Sequence, residues 1–267
     1  MSERISYSEP SSPDQYTDVV EIHRLEEING QGATQLGLLK GLQADIAALP
    51  LLVRSLLRSR IDRTQEKSRP EKPTDILTIP GLAAGNWHLS ALRAELQGSG
   101  DHYLFDTAIR NRSVMEDARL LAEDIVDQQT AVSFLAHSRG GLVLLCMLRI
   151  LEESGYDDLV RSMTLLSPTS HGIRPEMAKF ARLIPLQAIQ DLCPGSEPVK
   201  FWQELGPRPR SRITVVSQAG GDLFTSPERS FVEGSRMLVT PHCGHQEGVL
   251  DPKTPFFQTA LRSARTS

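Results

Sequence analysis

The pattern of apolar and polar residues changes at about residue 75. From there to the end, short apolar runs alternate with segments in which apolar residues recur every three or four positions. Such alternation is typical of β-strands separated by α-helices, as at 115–127 and 142–151. The sequence therefore predicts an α/β fold, a doubly wound and mostly parallel sheet with helices on both faces. The predicted strands are 76–79, 103–105, 132–136, 163–166, 213–216 and 237–239.

The first 70 residues form a separate N-terminal extension in this interpretation, followed by one domain over 71–267. Residues 1–33 are polar and predicted to be poorly ordered, whereas 34–62 place leucines at helical spacing with arginines on the polar side. Residues 65–74 are charged, contain two prolines and are predicted to be a linker. The helical stretch would pack on the domain, form a homodimer contact or lie on a membrane surface, and the first two are favoured.

Composition narrows the classes of function. The chain has 267 residues, enough for one sizeable core, and a formal net charge of −4, which gives no basic surplus for nucleic acid. Three cysteines argue against a disulfide scaffold, and neither C-x-x-C nor H-E-x-x-H occurs, so no metal or other cofactor is expected. The polar start, without a signal-like apolar region, favours a cytoplasmic protein.

The segment with the clearest chemistry follows the predicted strand 132–136. It reads A-H-S-R-G-G and leads directly into the predicted helix 142–151. This is the G-x-S-x-G nucleophile elbow with Ala136 in the first glycine position. Small residues are needed there because strand and helix pass close to a strained serine, whose hydroxyl the turn lifts above the sheet. The pattern predicts that Ser138 is a nucleophile.

The same segment resembles the A-H-S-x-G elbow of small bacterial lipases and esterases of the α/β-hydrolase superfamily. Residues 76–85 resemble the strand and H-G-x-x-G loop of these enzymes, with Pro80 in place of the histidine. Residues 164–172 resemble T-L-x-x-P-x-x-G, and 191–196 resemble the D-L-x-P-G-S stretch of lipases related to GPI-inositol deacylases. The resemblance covers the chain from about residue 75 onward. It implies carboxylic-ester hydrolysis without a cofactor.

Two backbone N–H groups are expected to form the oxyanion hole. One belongs to Arg139, the residue after the nucleophile. By resemblance the other belongs to Leu82, in the loop after the first strand of the domain. Proline at position 80 leaves the hydrogen bonding of that loop open.

The base and the acid are predicted from chain order, which in this fold runs Ser, acid, His. His245, preceded by glycine in the loop after the last predicted strand, is favoured as the base over His242. Asp222 follows strand 213–216 and two glycines, and it is favoured as the acid over Glu228. The acid would hold the imidazole in the tautomer that can accept the serine proton.

The substrate is expected to be a small-molecule or lipid ester with a short-to-medium acyl chain. His137 and His171 are candidates for substrate contact, and Trp87 and His88 for the border of the cleft. Residues 168–205 are a lid-like segment whose apolar stripe would face either the core or an acyl pocket: Phe180, Leu183, Ile184, Leu186 and Ile189.

Three other functions remain open at this level. The same triad serves thioesterases, amidases and other acyltransferases. A non-catalytic binding protein could keep the fold, although the complete set of Ser138, Asp222 and His245 argues against it. A membrane-associated lipase would use 34–62 to dock on lipid.

Overall fold

A computed structural model describes residues 19–22, 43, 76–82, 88–96, 102–104, 112–204, 210–219, 222–241 and 243–266. The predicted extension over residues 1–70 therefore lies outside the described residues, except for a short strand and Gln43, which is helical. Trp87 and His242 also lie outside them.

The described residues contain a seven-stranded sheet with the order β1-β7-β6-β5-β4-β2-β3. Strands β2 to β7 pair in parallel, and only β1 is antiparallel, against β7. This bears out the predicted doubly wound, mostly parallel sheet. The strands are β1 Val20–Ile22, β2 Ile76–Ile79, β3 His102–Leu104, β4 Val132–His137, β5 Val160–Leu166, β6 Ile213–Gln218 and β7 Arg236–Thr240.

The described part of the chain also contains nine α-helices and one 3-10 turn (Asp157–Leu159), and the last two helices follow β7. The longest is α3, which begins directly after β4 and ends at Gly155 in a left-handed cap. Helix α2 begins with a capping box between Ser113 and Glu116. The helices are α1 Ser90–Glu95, α2 Val114–Gln128, α3 Arg139–Ser154, α4 Pro175–Ala181, α5 Gln187–Gln190, α6 Glu197–Gln203, α7 Pro227–Ser230, α8 Glu247–Leu250 and α9 Pro255–Thr266.

Each central strand contributes alternate residues to two separate cores, as a strand with a period of two requires. Phe134 and Leu165 face a large core shared with α2 and α3, whereas Leu135 and Leu166 face a smaller core shared with α1 and α9. Helices therefore cover both faces of the sheet, and the carboxyl ends of β2, β4, β5, β6 and β7 meet at one edge. In the chain, each predicted site residue lies at the end of one of these strands or after it.

The structure adds one strand to the six that the sequence predicts. Val20 pairs with Val239 at the outer edge of β7, and Glu21 forms a two-bond ion pair with Arg236. The apolar residues of β1 stand in the mostly polar stretch 1–33, where no strand is predicted. Among the described residues, no helix has the length and apolar character needed to cross a membrane.

Candidate active site

Ser138 occupies the sharp turn between β4 and α3. Its backbone has φ 54° and ψ −119°, outside the regions that residues with a side chain prefer. The turn is held by the Ser138 N–H, which donates to the Leu166 carbonyl at 2.9 Å. The side chain is 7% exposed, at the carboxyl edge of the sheet. This is the conformation expected of a nucleophile elbow.

The glycines after Ser138 allow the elbow helix to pack directly on its neighbours. A Cβ at Gly140 would lie 2.6 Å from the Ile79 carbonyl oxygen and 2.7 Å from that of Pro80. A Cβ at Gly141 would lie 2.6 Å from Cβ of Pro168. Because these distances are shorter than any real Cβ contact, larger residues would push α3 away from β2 and from the loop after β5.

The loop after β2 lies against Ser138. A Cβ built on Gly81 would be 3.3 Å from Cβ of Ser138, so glycine permits this close approach. Leu82, the predicted oxyanion donor, follows directly and packs partly buried against the large core. Arg139 is the first residue of α3, where backbone N–H groups have no acceptor within the helix. Both predicted donors therefore belong to segments adjacent to Ser138.

Asp222 lies after β6 with a carboxylate that is fully hydrogen-bonded. Its Oδ1 accepts the N–H groups of Phe224 at 2.8 Å and Thr225 at 3.0 Å, and its Oδ2 accepts from Gln218 Nε2 at 3.1 Å. Arg174 supports the loop from the other side by donating to the Asp222 carbonyl at 2.9 Å. This network fixes the carboxylate while it is buried.

His245 meets this carboxylate. Its Nδ1 lies 2.6 Å from Asp222 Oδ2, with both side chains buried. Burial alone raises the pKa of Asp222, but the charge of His245 and the hydrogen bonds to the carboxylate outweigh it, so the pKa lies below its ordinary value. An ionised Asp222 accepts the Nδ1 proton, which leaves Nε2 of the neutral ring as the acceptor.

The ring of His245 packs beside the elbow, against the ring of His137. The rings of His137 and His245 have centroids 4.5 Å apart, and His137 immediately precedes Ser138. Phe224 packs against His245 from another side, with ring centroids 5.1 Å apart. Glu228, the alternative acid, lies in the first turn of α7, and it is Asp222 that contacts the histidine.

Two candidates for substrate contact occupy other positions. His137 is fully buried, and burial together with the neighbouring histidines places its pKa well below the ordinary value. It thus supports the ring of His245 from beneath. His171 packs edge-on against Trp202, and its backbone exchanges hydrogen bonds with Arg229. These neighbours are separate from those of the triad residues.

The lid-like segment does not bury its apolar stripe as the core interpretation requires. Phe180 is 66% exposed and Leu183 is 80% exposed, and Ile184 and Leu186 are exposed as well. Ile189 alone of the five packs against the large core. The core interpretation is therefore wrong for four of the five residues.

The sequence predicts that His88 borders the cleft, whereas the structure buries it. It is fully buried behind the loop after β2, where its Nδ1 accepts the Gly81 N–H at 3.4 Å. Its Nε2 lies 2.7 Å from Oε1 of Gln246, and its ring lies against His137 with centroids 4.7 Å apart. Gly81, which follows the proline at position 80, thus donates a hydrogen bond to a histidine seven positions further along the chain.

A buried ion pair beneath the elbow was missed by the sequence analysis. Arg139 Nη2 lies 2.8 Å from Asp117 Oδ2, with both side chains almost completely buried, and Arg112 Nε lies 3.0 Å from Oδ1 of the same carboxylate. Burial raises the pKa of Asp117, and the two guanidinium groups oppose that shift. One signal was available, because Asp117 shares a helix face with the apolar Leu121.

The D-L-x-P-G-S stretch has a structural role here. Oδ2 of the buried Asp191 accepts the N–H of Val114 at 2.6 Å, at the first residue of α2. Gln187 Nε2 donates to the other carboxylate oxygen at 2.6 Å. The motif therefore connects the lid-like segment to the start of α2. Across the described ranges, no group of three or more His, Cys, Asp or Glu side chains could hold a metal ion.

Solved structures resemble this chain at low sequence identity. A mature lipase of Bacillus licheniformis is 14% identical, with a TM-score of 0.55 over 73% of this chain and 94% of its own. A monoacylglycerol lipase of Paleococcus ferrophilus is 15% identical, with a TM-score of 0.55 over 74% and 96%. A thioesterase of the prodiginine pathway of Streptomyces coelicolor is 13% identical, with a TM-score of 0.51 over 74% and 93%.

No protein-family profile and no curated protein sequence matches the chain. Structural similarity at this level of identity establishes the fold and leaves the activity to be argued from the site. The parallel sheet, the serine at a strained strand–helix turn and the similar structures agree, and together they establish that the chain has the α/β-hydrolase fold.

Proposed function

We propose that this protein is a serine hydrolase that cleaves carboxylic esters through an acyl-enzyme intermediate. The observation that carries the proposal is the buried 2.6 Å contact between His245 Nδ1 and Asp222 Oδ2, with the histidine ring beside the elbow that presents Ser138. A non-catalytic protein would have no need to maintain a strained serine next to a buried His–Asp pair.

The proposed reaction begins at Ser138. His245 accepts the hydroxyl proton through Nε2 while Oγ attacks the acyl carbon. Asp222 holds the ring orientation and stabilises the imidazolium that forms. His245 then donates the proton to the departing alcohol, and water attacks the acyl-enzyme by the same route to release the acid and restore Ser138.

The proposed oxyanion hole uses the N–H groups of Leu82 and Arg139. Negative charge develops on the carbonyl oxygen in both tetrahedral intermediates, and each fixed donor contributes roughly 3 kcal/mol to the transition state. The close approach of Gly81 to Ser138 and the position of Arg139 at the start of α3 support this assignment. Arg139 contributes its backbone, because its guanidinium is engaged by Asp117.

We infer an apolar acyl group of short-to-medium length. The segment between β5 and β6 presents apolar side chains to solvent at Phe180, Leu183, Ile184 and Leu186. Exposed apolar groups of this size favour contact with an apolar ligand over contact with water.

The test is hydrolysis of p-nitrophenyl esters of increasing acyl length by the wild type and by Ser138→Ala, His245→Ala and Asp222→Asn. We expect activity in the wild type, near-complete loss in the two alanine variants and a chain-length optimum that separates esterase from lipase behaviour. Thermal unfolding of each variant serves as the control for folding. A Ser138→Ala protein that retains the wild-type rate would refute the proposal.

Thioester hydrolysis is the second candidate, since the same triad would perform it and one of the similar structures is a thioesterase. The ester series is therefore run beside acyl thioesters of equal chain length. A higher kcat/KM for thioesters would replace the ester assignment while leaving the roles of Ser138, His245 and Asp222 in place.

A further inference from the structure

His88 connects two loops that belong to different parts of the site. One is the loop after β2, whose Gly81 N–H donates to His88 Nδ1. The other is the loop after β7, in which Gln246 directly follows the catalytic-base candidate His245. The side chains of His88 and Gln246 are 158 positions apart in sequence. The contact therefore exists only because the fold brings both loops to one edge of the sheet.

The two hydrogen bonds require one and the same tautomer of His88. Gly81 offers an N–H, so Nδ1 must carry a lone pair. The proton then resides on Nε2, which donates to the carbonyl oxygen of the Gln246 amide at 2.7 Å. The opposite tautomer would place two donors face to face at Gly81. Burial, opposed by the Gln246 hydrogen bond and assisted by the charge of His245, lowers the pKa of His88 to about 4, so the ring stays neutral near pH 7.

His88 also lies close to Ser138, with only Gly81 between them. A Cβ at Gly81 would lie 3.5 Å from Cε1 of His88 and 3.3 Å from Cβ of Ser138, so Gly81 fills the space between the two. On its other side the His88 ring packs on His137, which packs on His245. A displacement of His88 would therefore move both the oxyanion loop and the support of the base.

We propose that His88 is a positioning residue that holds the loop of the oxyanion donor Leu82 in register with the loop of the base His245. It does so by accepting the Gly81 N–H at Nδ1 and donating from Nε2 to Gln246. The role rests on the proposed ester hydrolysis.

Three substitutions separate the two hydrogen bonds. His88→Asn keeps an acceptor near the position of Nδ1 and loses the bond to Gln246. His88→Gln keeps a donor near the position of Nε2 and loses the acceptor for Gly81. His88→Phe keeps a ring of similar size and loses both. Leu92→Ala is the matched control, because it weakens the core of α1 without touching these bonds.

The measurement is kcat for p-nitrophenyl ester hydrolysis per mole of Ser138 that reacts with a fluorophosphonate, together with KM. In that labelling the serine oxygen displaces fluoride from phosphorus, so it counts competent sites. We expect His88→Phe to lower kcat per labelled serine by about 10- to 100-fold with KM changed less than about threefold, because misplaced donors weaken only the transition state. His88→Asn and His88→Gln should each retain part of the rate, and Leu92→Ala all of it.

A double-variant test identifies the bridge itself. His88→Asn and Gln246→Leu remove the same hydrogen bond, so the combined protein should lose no more rate than the more affected single variant. Losses that multiply would show that the two side chains act separately and would overturn the proposal. So would a His88→Phe protein with wild-type kcat per labelled serine. A wild type that neither reacts with the probe nor cleaves esters would overturn the proposed function, and this role with it.

Discussion

The strained backbone of Ser138 predicts an unusual order of stability for the variants Ser138→Gly and Ser138→Ala. At φ 54° and ψ −119° any residue with a Cβ is strained, by about 3 kcal/mol at the upper end of the observed range. Replacing Ser138 by glycine removes that strain. Glycine costs up to about 1 kcal/mol in additional backbone entropy and loses a buried methyl group worth about 0.8 kcal/mol relative to alanine. Ser138→Gly should therefore be about 1 kcal/mol more stable than Ser138→Ala.

Urea denaturation of the two variants measures this difference directly, and in a thermal scan it corresponds to roughly 2 to 4 °C. Ser133, in the extended part of the same strand, provides the control pair. There Ser133→Gly should be less stable than Ser133→Ala by about 1.3 to 1.8 kcal/mol, because this equally buried position loses the methyl group as well as backbone entropy. If glycine is also the less stable residue at position 138, the strain is smaller than the roughly 1.8 kcal/mol that glycine costs there, and the reasoning is refuted.

Three further predictions concern the buried ionisable side chains Asp222, Asp117 and His88. Asp222→Asn should lower kcat by about 10³- to 10⁴-fold while the protein stays folded, because an amide cannot hold the tautomer of His245, and unchanged ester hydrolysis would exclude Asp222 as the acid. Asp117→Ala should reduce the free energy of unfolding by about 3 to 5 kcal/mol, because the Arg139 guanidinium is left buried without its main partner. In the same urea titration, the double variant Asp117→Ala with Arg139→Met should show a smaller reduction in this free energy, because no buried charge is left unpaired. Acidification from pH 7 to pH 4 should lower the free energy of unfolding of the wild type by about 3 kcal/mol more than that of His88→Gln. The reason is that the pKa of His88 is about 4 in the folded protein and 6.5 as a free side chain, so the unfolded chain takes up the proton first. Equal losses of unfolding free energy in the two proteins would contradict this pKa.

Those parts of the fold and site that depend on local sequence were predictable. Strands β2 to β7 could be predicted from short apolar runs, and the elbow could be predicted because Ser138 needs a small residue on each side. Asp222 and His245 were found from chain order and from the glycines before them, since a loop at the carboxyl edge must turn sharply toward the serine. The structure places these two in contact. Their catalytic roles remain predictions until the variants are assayed.

The remaining features depend on contacts between distant segments, which no local pattern encodes. His88 looked like a residue on the cleft border because nothing near it in sequence indicates Gln246 as its partner. The lid-like stripe has helical spacing, but spacing alone does not tell whether the apolar face meets a core, and Phe180 and Leu183 do not. Asp117 was overlooked because its partner Arg139 was considered only for its backbone.

The short strand β1 has a consequence for how the protein is made. It pairs Val20 with Val239, so β1 cannot join the sheet before β7 has left the ribosome. At typical synthesis rates the intervening residues, roughly 220 of them, take about 10 to 40 s to produce. During that time the edge that Val20–Ile22 joins does not yet exist. The nascent chain therefore has to keep β1 out of wrong pairings until β7 has been made.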